Sequence, residues 1–249
     1  EVDRSEKDNC FYLVIHSGSR NLGLQVCKYY QNMAFSNLNE MSTIRGNLIS
    51  RLKKEGREKD ISTEIKKLQK PKCDKDLAHL TGDGLKVYLN DMAIVQKYAI
   101  LNRQIISDLI IKGMGFKVHS MFETIHNYID FNRMILRKGS VSAEKGEMLL
   151  IPINMRDGSL LCVGKGNEDW NYSAPHGAGR LMSRSKAKEN ISMFDFEKSM
   201  NGIYTTSVCP ETIDEAPQAY KDITKVMQAQ TDLVDIVGTF HPKIVKMDQ

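Results

Sequence analysis

The chain is organised around Gly164 to Arg184, which reads G-K-G-N-E-D-W-N-Y-S-A-P-H-G-A-G-R-L-M-S-R. At its centre His176 stands between Pro175 and the run Gly177-Ala178-Gly179-Arg180. Pro175 fixes φ and stiffens the approach to the histidine. Gly177 and Gly179 lack a Cβ, so the backbone can turn sharply and come close to a ligand. Successive amide N–H groups in such a turn can point at an anion. Arg180 and Arg184 add planar, bidentate phosphate donors. A neutral imidazole is a competent nucleophile. Together these residues suggest a histidine that attacks, or is attacked at, a phosphoryl group. Taken alone, the same string also fits a turn whose histidine is hydrogen-bonded and idle.

Working outward, Leu160-Leu161-Cys162-Val163 is an apolar run that enters the histidine loop. Glu147 to Ile153 precedes it across the turn Asn154-Met155-Arg156-Asp157-Gly158, which predicts a β-hairpin. Met134 to Leu136 predicts a strand running into the basic turn Arg137-Lys138-Gly139. Near the start, Phe11 to Ile15 reads as a buried strand. It delivers His16-Ser17-Gly18-Ser19-Arg20 to a helix over about 22–34. Residues 36–80 are charge-rich and predict one or two helices ending at Pro71, with their lysines on a solvated face. Gly84 to Lys112 is the clearest helix. Leu85, Tyr88, Leu89, Met92, Val95 and Ala99 recur at spacings of three and four, Ile106, Leu109 and Ile110 continue the face, and the helix reads as a core-building element. Helices are expected at 183–189 and up to about Thr231, followed by the apolar run Leu233 to Val237.

The 249 residues suffice for one large domain or two small ones. Hydrophobic content of 41% and charged content of 27% are ordinary for a globular protein. No apolar run approaches the ~20 residues that span a bilayer, and the first ten residues do not read as a signal peptide. A formal charge of +4 permits a nucleic-acid partner without arguing for one. Cys10, Cys27, Cys73, Cys162 and Cys209 are odd in number and widely spaced, which points to a reducing cytoplasm rather than a disulfide framework. The pattern as a whole predicts an α+β fold.

Four strings in this order resemble the RtcB family of RNA ligases. They are H-S-G-S-R from His16, the His126-Asn127 pair, S-A-P-H-G-A-G-R around His176, and D-E-A-P-Q-A-Y-K from Asp214. Matches run from about Phe11 to Lys246, and the N-M-R-D-G and D-W-N-Y-S-A-P-H-G-A-G-R strings single out one branch. The resemblance implies a mixed fold with β-sheets around a central cleft and a single domain over 1–249 that lacks the N-terminal part of the family domain. It implies a GTP- and manganese-dependent ligase that joins RNA 3′-phosphate or 2′,3′-cyclic phosphate ends to 5′-hydroxyl ends through a histidine–GMP intermediate. It makes His176 the guanylate acceptor and His16 and His126 ligands to manganese, two ions in the complete family site. Arg20 and Arg184 become RNA-phosphate contacts. Asn127, Pro152, Ile153, Asn154, Met155, Ser159, Gly177, Ala178, Gly179, Tyr220 and Lys246 line the guanylate. An archease-type activator is a further implied partner.

Each role has a plainer counterpart. His16 and His126 fit buried, hydrogen-bonded histidines, Arg20 a surface charge, and Tyr220 a packing residue. His79, His119 and His241 receive no role. The family's I-P-G-x-M-G is Ile151-Pro152-Ile153-Asn154-Met155-Arg156 here, so two glycines are replaced by larger residues. The family's Asp-x-x-Cys and Gly-Asn-His strings are absent, and two imidazoles alone make an incomplete metal site. The chain is therefore expected to be a C-terminal portion of the family domain, a monomer or weak homo-oligomer, with weak manganese binding and impaired ligation. The alternative is a truncated relative that binds guanine nucleotide or RNA without catalysis.

Overall fold

The computed structural model describes residues 1–38, 41–68 and 75–247. The expected stop at Pro71 and the position of Cys73 lie outside them. The chain divides into two compact units, one formed by Glu1–His16 with Ser107–Gln249, the other by Ser17–Ile106.

The first unit opens with an antiparallel pair, β1 (Val2–Ser5) and β2 (Phe11–Leu13). The second unit is helical: α1 (Arg20–Leu38), α2 (Met41–Lys54), α3 (Ile61–Lys67) and most of the long α4 (Gly82–Met114). Returning to the first unit, β3 (His126–Asp130), β4 (Ile135–Ser142) and β7 (Ser173–Pro175) form an antiparallel sheet in the order β3-β4-β7. A larger sheet runs β2-β1-β9-β6-β5, with β5 (Met148–Asn154), β6 (Gly158–Gly164) and β9 (Val234–Val245). The short β8 (Tyr204–Thr205) pairs with β9 in parallel. Three short helices, α5 (Arg184–Asn190), α6 (Met193–Ser199) and α7 (Ile223–Gln228), fill the connections. Ser183, Ser192 and Asp222 cap them, each accepting a hydrogen bond from an amide of the first turn.

The mixed α+β architecture is the one expected. Burial alternates along β5, where Leu149, Ile151 and Ile153 point inward, as a half-buried strand requires. These side chains meet Leu160 and Cys162 of β6 together with Val141 and Ala174 of the small sheet, so one core binds the two sheets. A second core gathers Met155, Phe196, Ile213, Ala219 and Val245 beneath α5 and α6.

The hairpin turn depends on Gly158. Its φ is +75°, and a Cβ there would lie 2.0 Å from the carbonyl oxygen of Phe240 on β9. Gly158→Ala is expected to destabilise the protein by at least ~2 kcal/mol, because both the backbone conformation and β9 resist the methyl. A lowered urea midpoint with unchanged slope checks this.

Two expectations are corrected. Phe11 to Ile15 is not a buried strand: β2 is the short edge strand of its sheet, and Phe11 is 67% exposed. An edge strand has a neighbour on one side only, so its apolar run need not be covered. The long helix is found where expected, yet only Val95 is buried along it. Tyr30 of α1 packs on Tyr88 and donates to Asp91 at 2.6 Å, which half-covers one face. Leu85 and Leu109, expected in the core, are exposed, as are Val87, Ile94, Leu101 and Ile105. The helix carries apolar residues on more of its circumference than the other helices of its unit cover.

Candidate active site

His176 follows β7 directly, so the register of a three-stranded sheet fixes its position. Ser140 of β4 stands opposite Pro175, and the His176 amide donates to the Gly139 carbonyl at 3.3 Å. The next turn is tied to the large sheet, with the Ala178 amide donating to the Pro152 carbonyl at 3.2 Å. A Cβ on Gly177 would lie 3.1 Å from that same oxygen, a tight contact that a side chain could make only if the loop or β5 gave by a few tenths of an ångström. Past the turn, Lys221 donates its amide to the Gly179 carbonyl and Leu181 donates to Ala219. The histidine is thus held on both sides by main-chain hydrogen bonds.

His126 opens β3 opposite Val141. Its ring stacks on His176 at 4.7 Å between centroids with 21° between planes. On its other side, His126 Nε2 lies 3.1 Å from His16 Nε2. Residues 16, 126 and 176, far apart in the chain, therefore form one cluster. The opposed Nε2 atoms stand at about the separation that two imidazoles sharing one cation require, given metal–nitrogen bonds of roughly 2.0–2.1 Å. No group of three or more His, Cys, Asp or Glu that could hold a metal ion occurs among the described residues. The pair can therefore hold a cation only with further oxygens from substrate or water.

Two rings of the cluster, His126 and His176, favour the neutral form. Burial, then the charges of His176 and His16, push His126 down to about 4. Burial, then His16 and Lys138, hold His176 below the usual imidazole range. Both are neutral near pH 7, the form that a nucleophile or a metal ligand needs. A histidine titration by NMR on metal-free protein is expected to place His126 near pH 4, with His176 below a free imidazole. The unfolded chain binds the extra protons, so these groups withdraw stability as pH falls from about 6.5 towards 4.

The other expected site residues separate into groups. Asn127, at φ +57°, directs its Oδ1 to the Gly139 amide at 2.8 Å, supporting the strand beneath His176. Gly177, Ala178 and Gly179 form the turn itself. Pro152 contributes its carbonyl to Ala178. Asn154, half-buried, closes the hairpin: it accepts from the Arg156 and Asp157 amides and donates to Asp157 Oδ2. Ile153 and Met155 are each 5% exposed and belong to the two cores, so contact from either would come from main chain. Ser159 is buried with its hydroxyl unpartnered among the described residues. Lys246 donates to Thr206 Oγ1 at 3.1 Å.

Arg180 does not face outward as a phosphate donor. Its guanidinium donates to Glu215 Oε2, the Tyr220 hydroxyl and the carbonyls of Met182 and Asp214. Tyr220 in turn donates to Glu215, and burial followed by that hydrogen bond raises its pKa well above the usual phenol value. Arg184 is exposed and reaches Glu215 Oε1 at 3.0 Å. Arg20 lies in the second unit, where it opens α1. Glu215, which joins Arg180, Arg184 and Tyr220, was not singled out from the sequence. Its place in D-E-A-P-Q-A-Y-K, five residues before Tyr220, was the available signal.

The fold and site define a mixed α+β protein in which a histidine on a glycine turn is packed against two more imidazoles. The sequence model of the RtcB family, tRNA-splicing ligase RtcB, matches residues 4–248. The chain belongs to that family. It is 30% identical over 261 residues to the RNA-splicing ligase RtcB of Escherichia coli K12, covering 97% of this chain and 57% of the relative. It is 28% identical over 255 residues to the tRNA-splicing ligase RtcB of Aeropyrum pernix, with 87% and 47% covered. With that of Nanoarchaeum equitans it shares 27% over 276 residues, with 94% and 51% covered. The chain spans about half the length of these curated relatives. No helix among the described residues is long and apolar enough to cross a membrane.

Proposed function

We propose that this chain carries the nucleotide-accepting part of an RNA ligase that joins RNA 3′-phosphate or 2′,3′-cyclic phosphate ends to 5′-hydroxyl ends, using GTP and manganese. The observation that carries the reading is the meeting of His16, His126 and His176, with His126 in contact with both of the others. His176 attacks the α-phosphorus of GTP. The new N–P bond forms as the bond to the leaving pyrophosphate breaks, and the guanylyl group stays on the imidazole. That group then passes to an RNA 3′-phosphate, and attack by the 5′-hydroxyl of a second end releases GMP. Each step gathers negative charge on one phosphorus. A bound divalent cation supplies Lewis-acid stabilisation of that charge.

The chain's residues divide the remaining tasks. The Gly139 carbonyl and the Pro152–Ala178 contact hold the imidazole and its turn in place. His16 and neutral His126 offer nitrogen to a cation, completed by phosphate or water oxygens. Tyr220 and Lys246 serve the guanine, and Arg20 and Arg184 hold RNA phosphates by charge rather than by sequence. Incubation with GTP labelled on the α-phosphate, with and without manganese, tests this. An acid-labile, metal-dependent label on the protein supports it. Absence of label with retained GTP or RNA binding supports the second reading, a relative that binds without catalysis.

A further inference from the structure

We infer that a cavity of about 910 Å³ behind the His176 strand binds the base of a single-stranded RNA nucleotide next to the reacting end. The inference rests on the ligase reading for the identity of its occupant. The cavity adjoins the site through Gly139 and Pro175, which line it and also flank His176. Its wall includes Leu136, Trp170, Leu181, Lys221, Lys225 and Gln230.

Three features point to a nucleotide. Trp170 is 62% exposed although its turn is fixed: the Asn171 amide donates to Glu168, the Tyr172 amide to Asn167, and Asn167 accepts from Asp169. A rigid turn that presents an indole to solvent makes a stacking platform, and stacking on aromatic side chains is how single strands are commonly held. Lys221 and Lys225 are both exposed on the cavity wall, where a strand's phosphates would pass. Asp222 and Asp232 stand on the same wall; Asp222 is occupied in capping α7 at the Thr224 amide. Gln230 is 3% exposed, and neither end of its amide has a hydrogen-bond partner among the described residues. A buried amide left unmade is costly, and its donor–acceptor pair matches the edge of a base.

Trp170 is the only tryptophan in the sequence, so its fluorescence reports this cavity alone. Titration of the full chain with a ten-nucleotide single-stranded RNA bearing a 3′-phosphate is expected to quench it saturably. By anisotropy of a labelled RNA, Trp170→Ala is expected to weaken binding about tenfold, the scale of one lost stacking contact. Lys225→Ala is expected to weaken binding and to lower the salt slope by about one. Gln230→Leu is expected to weaken binding while folding stability holds or rises, which a purely structural glutamine would not do. GTP labelling of Trp170→Ala and Lys225→Ala stays at the wild-type level. RNA binding without quenching, or with unchanged affinity in Trp170→Ala, overturns the inference, as does no RNA binding at all. If quenching occurs but no variant or wild type takes label from GTP, the cavity stands and the ligase reading falls. Label without quenching sinks the cavity alone.

Discussion

His176→Ala abolishes transfer of label from α-labelled GTP to the protein; this is the largest effect expected. No neighbour can take over. His126, stacked at 4.7 Å, presents a ring face to residue 176, and its Nε2 faces His16. The glycine turn that would cradle the phosphate is aligned on residue 176 and on no other. Labelling in the wild type should persist to lower pH than a free imidazole would allow, because burial holds His176 below the usual range. It should fail as the ring protonates, since the cation has no lone pair for phosphorus. His176→Asn, which keeps some polarity without the nucleophile, should be as inactive as alanine. Label surviving in either variant, measured after acid and after hydroxide treatment, would remove His176 from the chemistry.

Arg137→Ala should give the largest loss of stability. Arg137 is 1% exposed, with its guanidinium on Asp130 at 2.8 Å, the Tyr128 and Ser173 hydroxyls at 3.0 Å, and the Asn171 carbonyl. It therefore joins β3, β4 and the approach to β7, the strands that carry His126, Gly139 and His176. Truncation leaves a cavity and removes the charged partner of Asp130 Oδ2, leaving the Asn132 and Arg133 amides on Oδ1. Breaking a buried pair from one side costs roughly 3–5 kcal/mol. For a chain of this size that corresponds to a Tm lower by about 10 °C. Arg137→Lys should recover little, since one ammonium cannot reach acceptors spread in a plane. GTP labelling should fall with the folded fraction and with the alignment of His176 on His126. A Tm unchanged by calorimetry would show that the guanidinium is dispensable to the small sheet.

Much of the site was legible as local strings. His16 and His176 each sit beside a Gly-containing turn, His126 in a family string, and the hairpin over Glu147 to Val163 follows from two apolar runs on either side of an Asn–Gly-bounded turn. The reading failed where side-chain direction depends on a distant partner. Arg180 reads as a phosphate donor because nothing nearby in sequence claims it, yet Glu215 and the Asp214 carbonyl do. Ile153 and Met155 stand in a motif that lines a nucleotide, but strand alternation turns Ile153 into one core and the hairpin turn folds Met155 into the other. The exposed face of α4 has the same origin: a periodic apolar stripe shows that a helix forms and says nothing of how many neighbours cover it.

The amino-acid order alone settled the element types, the glycine turn and the family, because these follow from dihedral preferences and from spacing within a few residues. Only the tertiary structure brought three histidines, separated by 110 and 50 positions in the sequence, within ring contact. For His126 and His176 it did so through the register of β3 and β7 on β4, while His16 arrives from β2 of the larger sheet. Register is set by which faces are buried together, a property of the whole sheet that no single segment contains.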